Sequence, residues 1–370
     1  MTLVYVVGAR PNFVKMAPVV AALRARLPRS RHVVVHTGQH YDAEMSELFL
    51  DELEIPEPAY RLGVGSGTHA KQTGRVMSAF EDVVASLRPA LVLVPGDVNS
   101  TLAAALVCAK LSIPYAHVES GLRSFDRSMP EEVNRIVADE FAELLFTHSD
   151  EAIENLLAEG IADARIHRVG NTMIDTLVRF ESRFRALNVG RAHGVKRGEY
   201  VLVTLHRPSL VDGELLDEVL ARLDEIAREL PVIFPVHPRT AARVDGERWP
   251  RIRFTEPLGY LEFLSLEADA GAVLTDSGGV QEETTYLGVP CFTLRSTTER
   301  PVTVRLGRNT LLGLDPARIP EVLTAFAGER PARVVPPQWD GRASERIAVA
   351  VAEFLGLPRE ERAMLEERFA

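Results

Sequence analysis

The chain has 370 residues, of which 46% are hydrophobic and 25% are charged. This composition excludes a disordered or collagen-like chain and supplies enough apolar residues for two domains with separate cores. The formal net charge of −10 at pH 7 argues against general binding to nucleic acid or to an anionic membrane. We therefore expect a small anionic ligand, bound by basic residues that gather at one place.

Cysteine usage and hydropathy bear on the cellular compartment. The two cysteines, Cys108 and Cys291, lie in apolar runs, which is typical of buried thiols in a reducing compartment rather than of a disulfide or metal framework. The first ten residues lack the basic region of a signal peptide, and no segment approaches the roughly 18 apolar residues of a membrane span. We expect a cytoplasmic protein that binds no membrane.

Short β-branched runs alternate with helical periodicity, first over residues 1–172 and again after a charged segment near 179–199. This alternation is typical of parallel sheets with crossover helices, so it predicts two Rossmann-like, doubly wound α/β domains facing across a cleft. We expect the domains to span 1–172 and 173–355, with a tail at 356–370 that packs back on the first domain. Strands are predicted near residues 3–8, 32–37, 90–95, 115–118, 144–147, 200–204, 232–236, 271–275 and 291–294.

Polar loops follow these predicted strands, where the ligands of open parallel sheets bind. The loop at 276–283 contains Gly278 and Gly279 and leads into a helix. Two glycines let the backbone approach a ligand, and the N–H groups of a helix start suit a phosphate. The glutamates that follow suit a sugar hydroxyl, so the turn is consistent with a nucleotide-sugar site. An ordinary strand-to-helix turn is the alternative.

Charged residues mark the loops of the first half. Arg10 and Lys15 are predicted at the start of the first helix, where cations oppose the helix dipole and need an anion or a carboxylate; surface charge is the alternative. Asp97 and Glu119 end two strands, and hydrogen bonds to a neighbouring loop would also explain them. Several carboxylates at one site disfavour simultaneous ionisation, so that one could act as an acid and another as a base.

Glu131 follows Pro130 at a predicted helix start and has Arg135 on the same helix face, four residues later. Helix capping by Glu131 or by Glu132 is the alternative to a catalytic role.

Two histidines, His206 and His237, end strands of the second half. Metal binding is disfavoured, because no two histidines have the spacing of ligands on a helix and no cysteine is close in sequence. Acid catalysis, hydrogen bonding or contact with a diphosphate fits better. Arg295 and Arg300 flank the next loop, for which a plain turn with an exposed arginine is the alternative.

Taken in order along nearly the whole chain, these segments resemble the non-hydrolysing UDP-N-acetylglucosamine 2-epimerase family. The segments are Gly8-Ala9-Arg10-Pro11 with Lys15, Thr37-Gly38-Gln39-His40, Gly96-Asp97, His117 to Arg123, Pro130 to Arg135, Gly170-Asn171-Thr172, Thr204 to Pro208, Asp276-Ser277-Gly278-Gly279 with Glu283, and Thr297 to Pro301.

The resemblance implies a fold like that of the GT-B glycosyltransferases, a homodimer, and reversible conversion of UDP-GlcNAc to UDP-ManNAc without metal or nicotinamide, for cell-surface polysaccharide precursors. It places Asp97, Glu119, Glu131 and His206 at catalytic positions. It places Arg10, Lys15, Ser277, Gly279, Glu283 and Arg300 around the UDP, and we add Gln39, His237, Gly278 and Arg295 from the same loops to the predicted binding set.

The chemistry is consistent with those roles. The C2 proton of the sugar is not acidic, but expulsion of UDP from C1 builds positive charge beside C2 and makes that proton removable. Anti elimination would give 2-acetamidoglucal and UDP, and re-addition with a proton on the other face of C2 would give the epimer.

The sequence departs from many bacterial members where those have a second, activating UDP-GlcNAc site. The corresponding regions here are Tyr41-Asp42 and residues 65–69. We expect weak or absent substrate activation, which a strongly sigmoidal rate curve would contradict.

Three other functions remain as alternatives. A hydrolysing epimerase would release UDP and free ManNAc, but its family has other residues in the stretch that runs here from Glu119 to Arg135. A GT-B glycosyltransferase would need an acceptor surface. A non-catalytic nucleotide-sugar sensor could lose the three carboxylates that are present here.

Overall fold

A computed structural model describes residues 1–38, 43–213, 215–236, 238–327 and 332–357 of the chain. The chain divides into two compact units, the first formed by Met1–Thr176 with the segment that begins at Pro337, and the second by Leu177–Pro336.

The first unit contains a seven-stranded parallel sheet in the order β3-β2-β1-β4-β5-β6-β7. The central strands are continuous apolar runs because helices cover both faces of such a sheet. Its strands are β1 (Thr2–Val7), β2 (Arg31–His36), β3 (Tyr60–Arg61), β4 (Leu91–Pro95), β5 (Tyr115–Val118), β6 (Leu144–Thr147) and β7 (Ile166–Arg168). Its helices include α1 (Arg10–Arg26), α2 (Ala43–Glu52), α3 (His69–Leu87), α4 (Asn99–Leu111), α5 (Pro130–Glu140) and α6 (Asp150–Ala158), and α7 (Thr172–Leu187) leads into the second unit.

The second unit contains a six-stranded parallel sheet in the order β10-β9-β8-β11-β12-β13. Its strands are β8 (Val201–Thr204), β9 (Val232–Pro235), β10 (Ile252–Thr255), β11 (Ala272–Thr275), β12 (Cys291–Thr293) and β13 (Asn309–Leu311). Its helices are α8 (Val189–Ala192), α9 (Pro208–Val211), α10 (Leu215–Ile226), α11 (Pro238–Ala241), α12 (Tyr260–Asp269), α13 (Gly278–Leu287) and α14 (Pro301–Arg305). The prediction of two Rossmann-like α/β units is thus confirmed.

The last described helix, α15 (Ala343–Phe354), packs on α1 in the first unit. The buried carboxylate of Asp175 accepts hydrogen bonds from the backbone N–H groups of Ala343 (3.0 Å) and Ser344 (2.6 Å), and so caps the start of α15. The indole N–H of Trp339 donates to the His148 carbonyl at 3.0 Å. The two units therefore differ from the expected domains, which were bounded at 173 and 355. The chain returns to the first unit at Pro337, before α15 begins. Most of the expected tail, residues 358–370, lies outside the described residues.

Among the described residues, no helix is both long and apolar enough to cross a membrane. Cys108 and Cys291 are both free and buried, as expected.

Candidate active site

Two carboxylates and two cations meet at the carboxyl edge of the first sheet. The Lys15 ammonium lies 2.7 Å from both carboxylate oxygens of Glu119. Nη2 of Arg135 donates to Oδ2 of Asp97 at 2.5 Å and to Oε1 of Glu119 at 3.1 Å. Lys15, Glu119 and Arg135 are buried, whereas the Asp97 side chain is 21% exposed. Asp97 is therefore the carboxylate of this group that solvent reaches most easily.

The loops after β4 and β5 have unusual backbone conformations where these side chains come into contact. Gly96 has a φ of +62°, and a Cβ at that position would lie 3.0 Å from the Lys15 ammonium. Glu119 has a φ of +68°, in the left-handed region that a residue with a side chain rarely adopts. Such strain persists where the surrounding structure holds it, and it is common at functional sites.

The sequence predicted these residues but not their partners. The carboxylate required to balance a cation at the start of α1 is Glu119, which Lys15 contacts. Arg135 was expected on the helix face of Glu131, but it bonds Asp97 and Glu119 instead. Arg135 thus places a positive charge between the Asp97 and Glu119 carboxylates. Arg10 lies over the Phe49 ring, 5.6 Å from its centroid.

Glu131 and Glu132, adjacent at the start of α5, have different environments. Glu132 is buried and accepts hydrogen bonds from the N–H (2.7 Å) and hydroxyl (2.9 Å) of Ser124 and from the N–H of Phe125 (3.1 Å), so it holds the preceding loop. Glu131 is half-buried and makes no ion pair or hydrogen bond within the described part of the chain. Of the two, Glu131 is the carboxylate left free to act on a ligand.

In the second unit, His206 is oriented by Asp276. The His206 Nδ1 lies 2.8 Å from Oδ1 of this fully buried carboxylate. Oδ2 of Asp276 accepts the N–H groups of His206 (2.9 Å) and Arg207 (2.7 Å). Burial would raise the pKa of Asp276, but the His206 ring and these N–H groups outweigh it and lower the pKa. The Asp276 carboxylate therefore lies at the Nδ1 edge of the His206 ring, which leaves Nε2 for a ligand.

The predicted phosphate cradle is the start of α13. Ser277 is its N-cap residue and makes no side-chain cap, so the N–H groups of the first turn are not used by that side chain. A Cβ on Gly278 would lie 2.4 Å from Nη1 of Arg300, so glycine is required for the guanidinium to lie against the helix start. The predicted residues Ser277, Gly278, Gly279 and Arg300 are therefore brought together.

Three arginine side chains lie around the Glu299 carboxylate, near the start of α13. Arg295 forms two hydrogen bonds to the Glu299 carboxylate, at 3.0 and 2.6 Å, and Nη1 of Arg300 donates to it at 3.1 Å. Nη2 of Arg207 lies 3.9 Å away. Arg295 and Arg300 are buried, so the alternative of a plain turn with an exposed arginine is not what the structure shows. Arginine side chains that are already held in place suit a diphosphate.

The predicted ligand residue Glu283 belongs to a buried acidic pair. Burial and the charge of Glu282 together raise the pKa of Glu283 to about 7, against the lowering effect of the Tyr260 hydroxyl, which donates to Oε1 of Glu283 at 2.9 Å. Burial and the charge of Glu283 raise the pKa of Glu267 well above its usual range. Neither carboxyl oxygen of Glu267 has a hydrogen-bond partner among the described residues.

The raised pKa of the buried Glu267 carboxyl predicts that the second unit loses stability as pH rises. With a raised pKa, folded Glu267 retains a proton that the unfolded chain releases above its ordinary pKa, so folding becomes less favourable with increasing pH. We expect the difference in Tm between Glu267→Gln and the wild type to increase by about 3 °C or more from pH 5 to pH 8. Thermal unfolding followed by circular dichroism measures it.

Glu256→Gln is the matched control, because Glu256 is exposed in the same unit. Its Tm should follow the wild type at both pH values. A constant difference between Glu267→Gln and the wild type would contradict the raised pKa.

Two predicted binding residues, Gln39 and His237, lie outside the described residues. Among the residues that are described, no group of three or more histidine, cysteine, aspartate or glutamate side chains is arranged to hold a metal ion.

Sequence reasoning missed the partners of the site, namely Arg135 for Asp97 and Glu119, Asp276 for His206, and Glu299 for the arginines. Each lay inside a segment that had been singled out. The available signal was an ionisable residue next to a candidate, but spacing along the chain did not pair it with a residue in another loop.

A family model described as UDP-N-acetylglucosamine 2-epimerase matches residues 22–352. The UDP-N-acetylglucosamine 2-epimerase of Methanocaldococcus jannaschii is 41% identical over 360 residues, which cover 94% of this chain and 98% of the relative. The UDP-2,3-diacetamido-2,3-dideoxy-D-glucuronate 2-epimerase of Pseudomonas aeruginosa is 40% identical over 360 residues, covering 96% and 100%.

A solved structure is similar over the same length. The crystal structure of the Methanocaldococcus jannaschii UDP-GlcNAc 2-epimerase in complex with UDP-GlcNAc and UDP has a TM-score of 0.87 and 40% sequence identity, covering 95% of this chain and all of that one.

Proposed function

The chain belongs to the UDP-N-acetylglucosamine 2-epimerase family of isomerases, and on that premise we propose that it interconverts UDP-GlcNAc and UDP-ManNAc by anti elimination and re-addition of UDP. The observation that carries this mechanism is the meeting of Asp97 and Glu119 at one sheet edge, each bonded to Arg135. Ionisable groups held in such a cluster suit proton transfer at a carbon.

In the first step, a carboxylate accepts the C2 proton while the bond between C1 and the diphosphate oxygen breaks. The electron pair of the C2–H bond forms the C1–C2 double bond of 2-acetamidoglucal, and UDP leaves with the electrons of the C1–O bond. Expulsion of the diphosphate makes the C2 proton acidic enough for a carboxylate to remove.

In the second step, a β-phosphate oxygen of UDP bonds to C1 again and a carboxylic acid gives its proton to the opposite face of C2. Acid and base therefore act on two faces, which requires more than one carboxylate. Asp97, Glu119 and Glu131 are the proposed groups. The partial exposure of Asp97 and Glu131 supports direct contact with the sugar.

Apart from Arg10 and Lys15, the groups that we propose to bind UDP belong to the second unit. The start of α13 and the arginines around Glu299 supply N–H groups and positive charge for the departing diphosphate. Glu283, beside them, would accept hydrogen bonds from sugar hydroxyls. His206, held by Asp276, would present Nε2 to the leaving oxygen and would donate to that oxygen when Nε2 carries a proton.

The experiment that tests this function is NMR of the purified protein with UDP-GlcNAc in D2O, with and without EDTA. We expect a mixture of UDP-GlcNAc and UDP-ManNAc with deuterium at C2, unchanged by EDTA and without added nicotinamide, because the proposed chemistry uses neither a metal nor a hydride carrier. Accumulation of free UDP and ManNAc would instead establish a hydrolysing enzyme.

A second substrate is favoured by one comparison, since the Pseudomonas aeruginosa relative named for a diacetamido glucuronate is almost as similar as the relatives named for UDP-GlcNAc. The same NMR experiment with UDP-2,3-diacetamido-2,3-dideoxy-D-glucuronate separates the two. Turnover of the glucuronate with UDP-GlcNAc left unchanged would overturn the proposed substrate but not the proposed mechanism.

We further propose that the protein is a homodimer and that its product is a precursor of cell-surface polysaccharide, both on the strength of the family resemblance. Sedimentation equilibrium should give twice the mass of the 370-residue chain. A monomer at the concentrations used for the assay would contradict the proposed assembly.

A further inference from the structure

His117, a fully buried residue of β5, lies between two acceptors. Its Nδ1 is 2.6 Å from Oδ1 of Asp139 on α5, and its Nε2 is 2.7 Å from the carbonyl oxygen of Gly96. A carbonyl oxygen only accepts hydrogen bonds, so Nε2 carries a proton. Burial would raise the pKa of Asp139, but His117 and Arg123 outweigh it and lower the pKa. The His117 ring therefore joins the Asp139 carboxylate on α5 to the Gly96 carbonyl in the loop after β4.

Asp139 extends this contact to a second loop. Its Oδ2 accepts the backbone N–H of Gly121 at 3.1 Å and lies 2.7 Å from Nη2 of Arg123. Arg123 is bound in turn by the Glu159 carboxylate, at 2.7 and 2.6 Å. Arg123 thus joins the buried Asp139 to Glu159, whose side chain is partly exposed.

The two backbone groups held by the network flank the proposed catalytic carboxylates. Gly96 immediately precedes Asp97, and Gly121 follows Glu119 by two residues. Gly96 and Gly121 have φ values of +62° and +78°, and a Cβ on Gly121 would lie 2.3 Å from the carbonyl oxygen of Ala152. Glycine adopts such φ values without strain, so the backbone at these two positions is fixed by contacts from outside the loop rather than by a conformational preference of its own.

Stability alone does not account for an ion pair here. Removing two charges from water costs several kcal/mol, and well-packed apolar residues of similar volume often stabilise a protein as well or better. The same strand face carries a simpler link to α5, in which the buried hydroxyl of Tyr115 donates to the Ala138 carbonyl at 2.7 Å. His117 differs from Tyr115 in that it also reaches the loop of Asp97.

We infer that His117 and Asp139 form a positioning pair, which fixes the loops after β4 and β5 so that Asp97 and Glu119 are held at the distances that C2 chemistry requires. The inference rests on the proposed epimerase function. It assigns no contact with substrate to either residue, since the side chains of both are buried.

The test compares His117→Gln with Tyr115→Phe in the full-length protein. Each removes a buried hydrogen bond between β5 and α5, but only His117→Gln releases the Gly96 carbonyl from Asp139. The measurements are Tm, kcat and KM for UDP-GlcNAc, and the Kd of UDP by calorimetry. We expect His117→Gln to lower kcat about 100-fold, because misplacement by about 1 Å has that effect. KM and the Kd of UDP should change by less than about threefold, since most of the proposed UDP groups lie in the second unit.

Tyr115→Phe should keep kcat within about threefold of the wild type at a similar loss of Tm. The inference is overturned if His117→Gln retains kcat within that range, or if both variants lose kcat alike. Should His117→Gln not fold, Asp139→Asn keeps the side-chain volume and removes the counter-ion, and it must show the same loss of kcat with unchanged UDP affinity. A wild type that turns over neither nucleotide sugar would refute the proposed function rather than this inference.

Discussion

Asp97→Asn is expected to lower kcat for epimerisation by about 10²–10⁴-fold, the loss usual for a general acid or base. The substitution keeps the side-chain shape but cannot exchange a proton with C2. It also removes one of the two carboxylates that Arg135 contacts. Because the Asp97 side chain is partly exposed and Glu119 still pairs with Lys15 and Arg135, we expect the variant to fold. An enzyme assay of UDP-ManNAc formation tests the loss of kcat, and the Tm of the variant tests whether it folds.

Asp82→Asn is the matched control for that substitution, since Asp82 is exposed on α3 in the same unit. It should leave kcat unchanged. The affinity of Asp97→Asn for UDP should also be retained, because most of the proposed UDP groups belong to the second unit. An Asp97→Asn enzyme with wild-type kcat would remove Asp97 from the mechanism.

The second large effect is expected at the buried partner of His206. Asp276→Asn should lower kcat by about 100-fold or more, although Asp276 is fully buried and has no exposed atom to offer a substrate. An asparagine can turn its NH2 group towards Nδ1, which moves the histidine proton to Nε2 and changes what His206 presents to a ligand.

His206→Asn should cause a comparable loss, and the double variant should be little worse than either single variant, because residues that act as a unit are not additive. Asp245→Asn, an exposed aspartate of the same unit, serves as the control and should retain full activity. Additive losses at His206 and Asp276 would contradict the proposed orientation of the histidine by the carboxylate.

The interior of both sheets could be predicted from the sequence, whereas their edges could not. All nine predicted strands are present, and they are the buried ones. The four that were missed, β3, β7, β10 and β13, are the outermost strands of the two sheets. A strand packed on both faces needs an unbroken apolar run, but an edge strand can be short or polar, as in Tyr60–Arg61 and Ile166–Arg168.

The end of the chain also depends on tertiary structure. The amphipathic pattern of α15 predicts a helix, but it does not say which apolar surface the helix covers. That choice is made by α1 and by the Asp175 carboxylate that caps α15. Asp175 and Ala343 are far apart in the chain, and no local sequence pattern pairs them. The unit to which α15 belongs could therefore be assigned only from the fold.

For the site, the sequence by itself determined which chemical groups are present, because strand ends and glycine turns predict which loops reach one sheet edge. Only the tertiary structure decided how those groups pair. Arg135 contacts Asp97 and Glu119 rather than its helical neighbour Glu131, and the adjacent glutamates Glu131 and Glu132 differ in burial. The physical reason is that ion pairs and burial depend on distances in space of a few ångströms, which are set by loop backbone and packing between elements far apart in the chain.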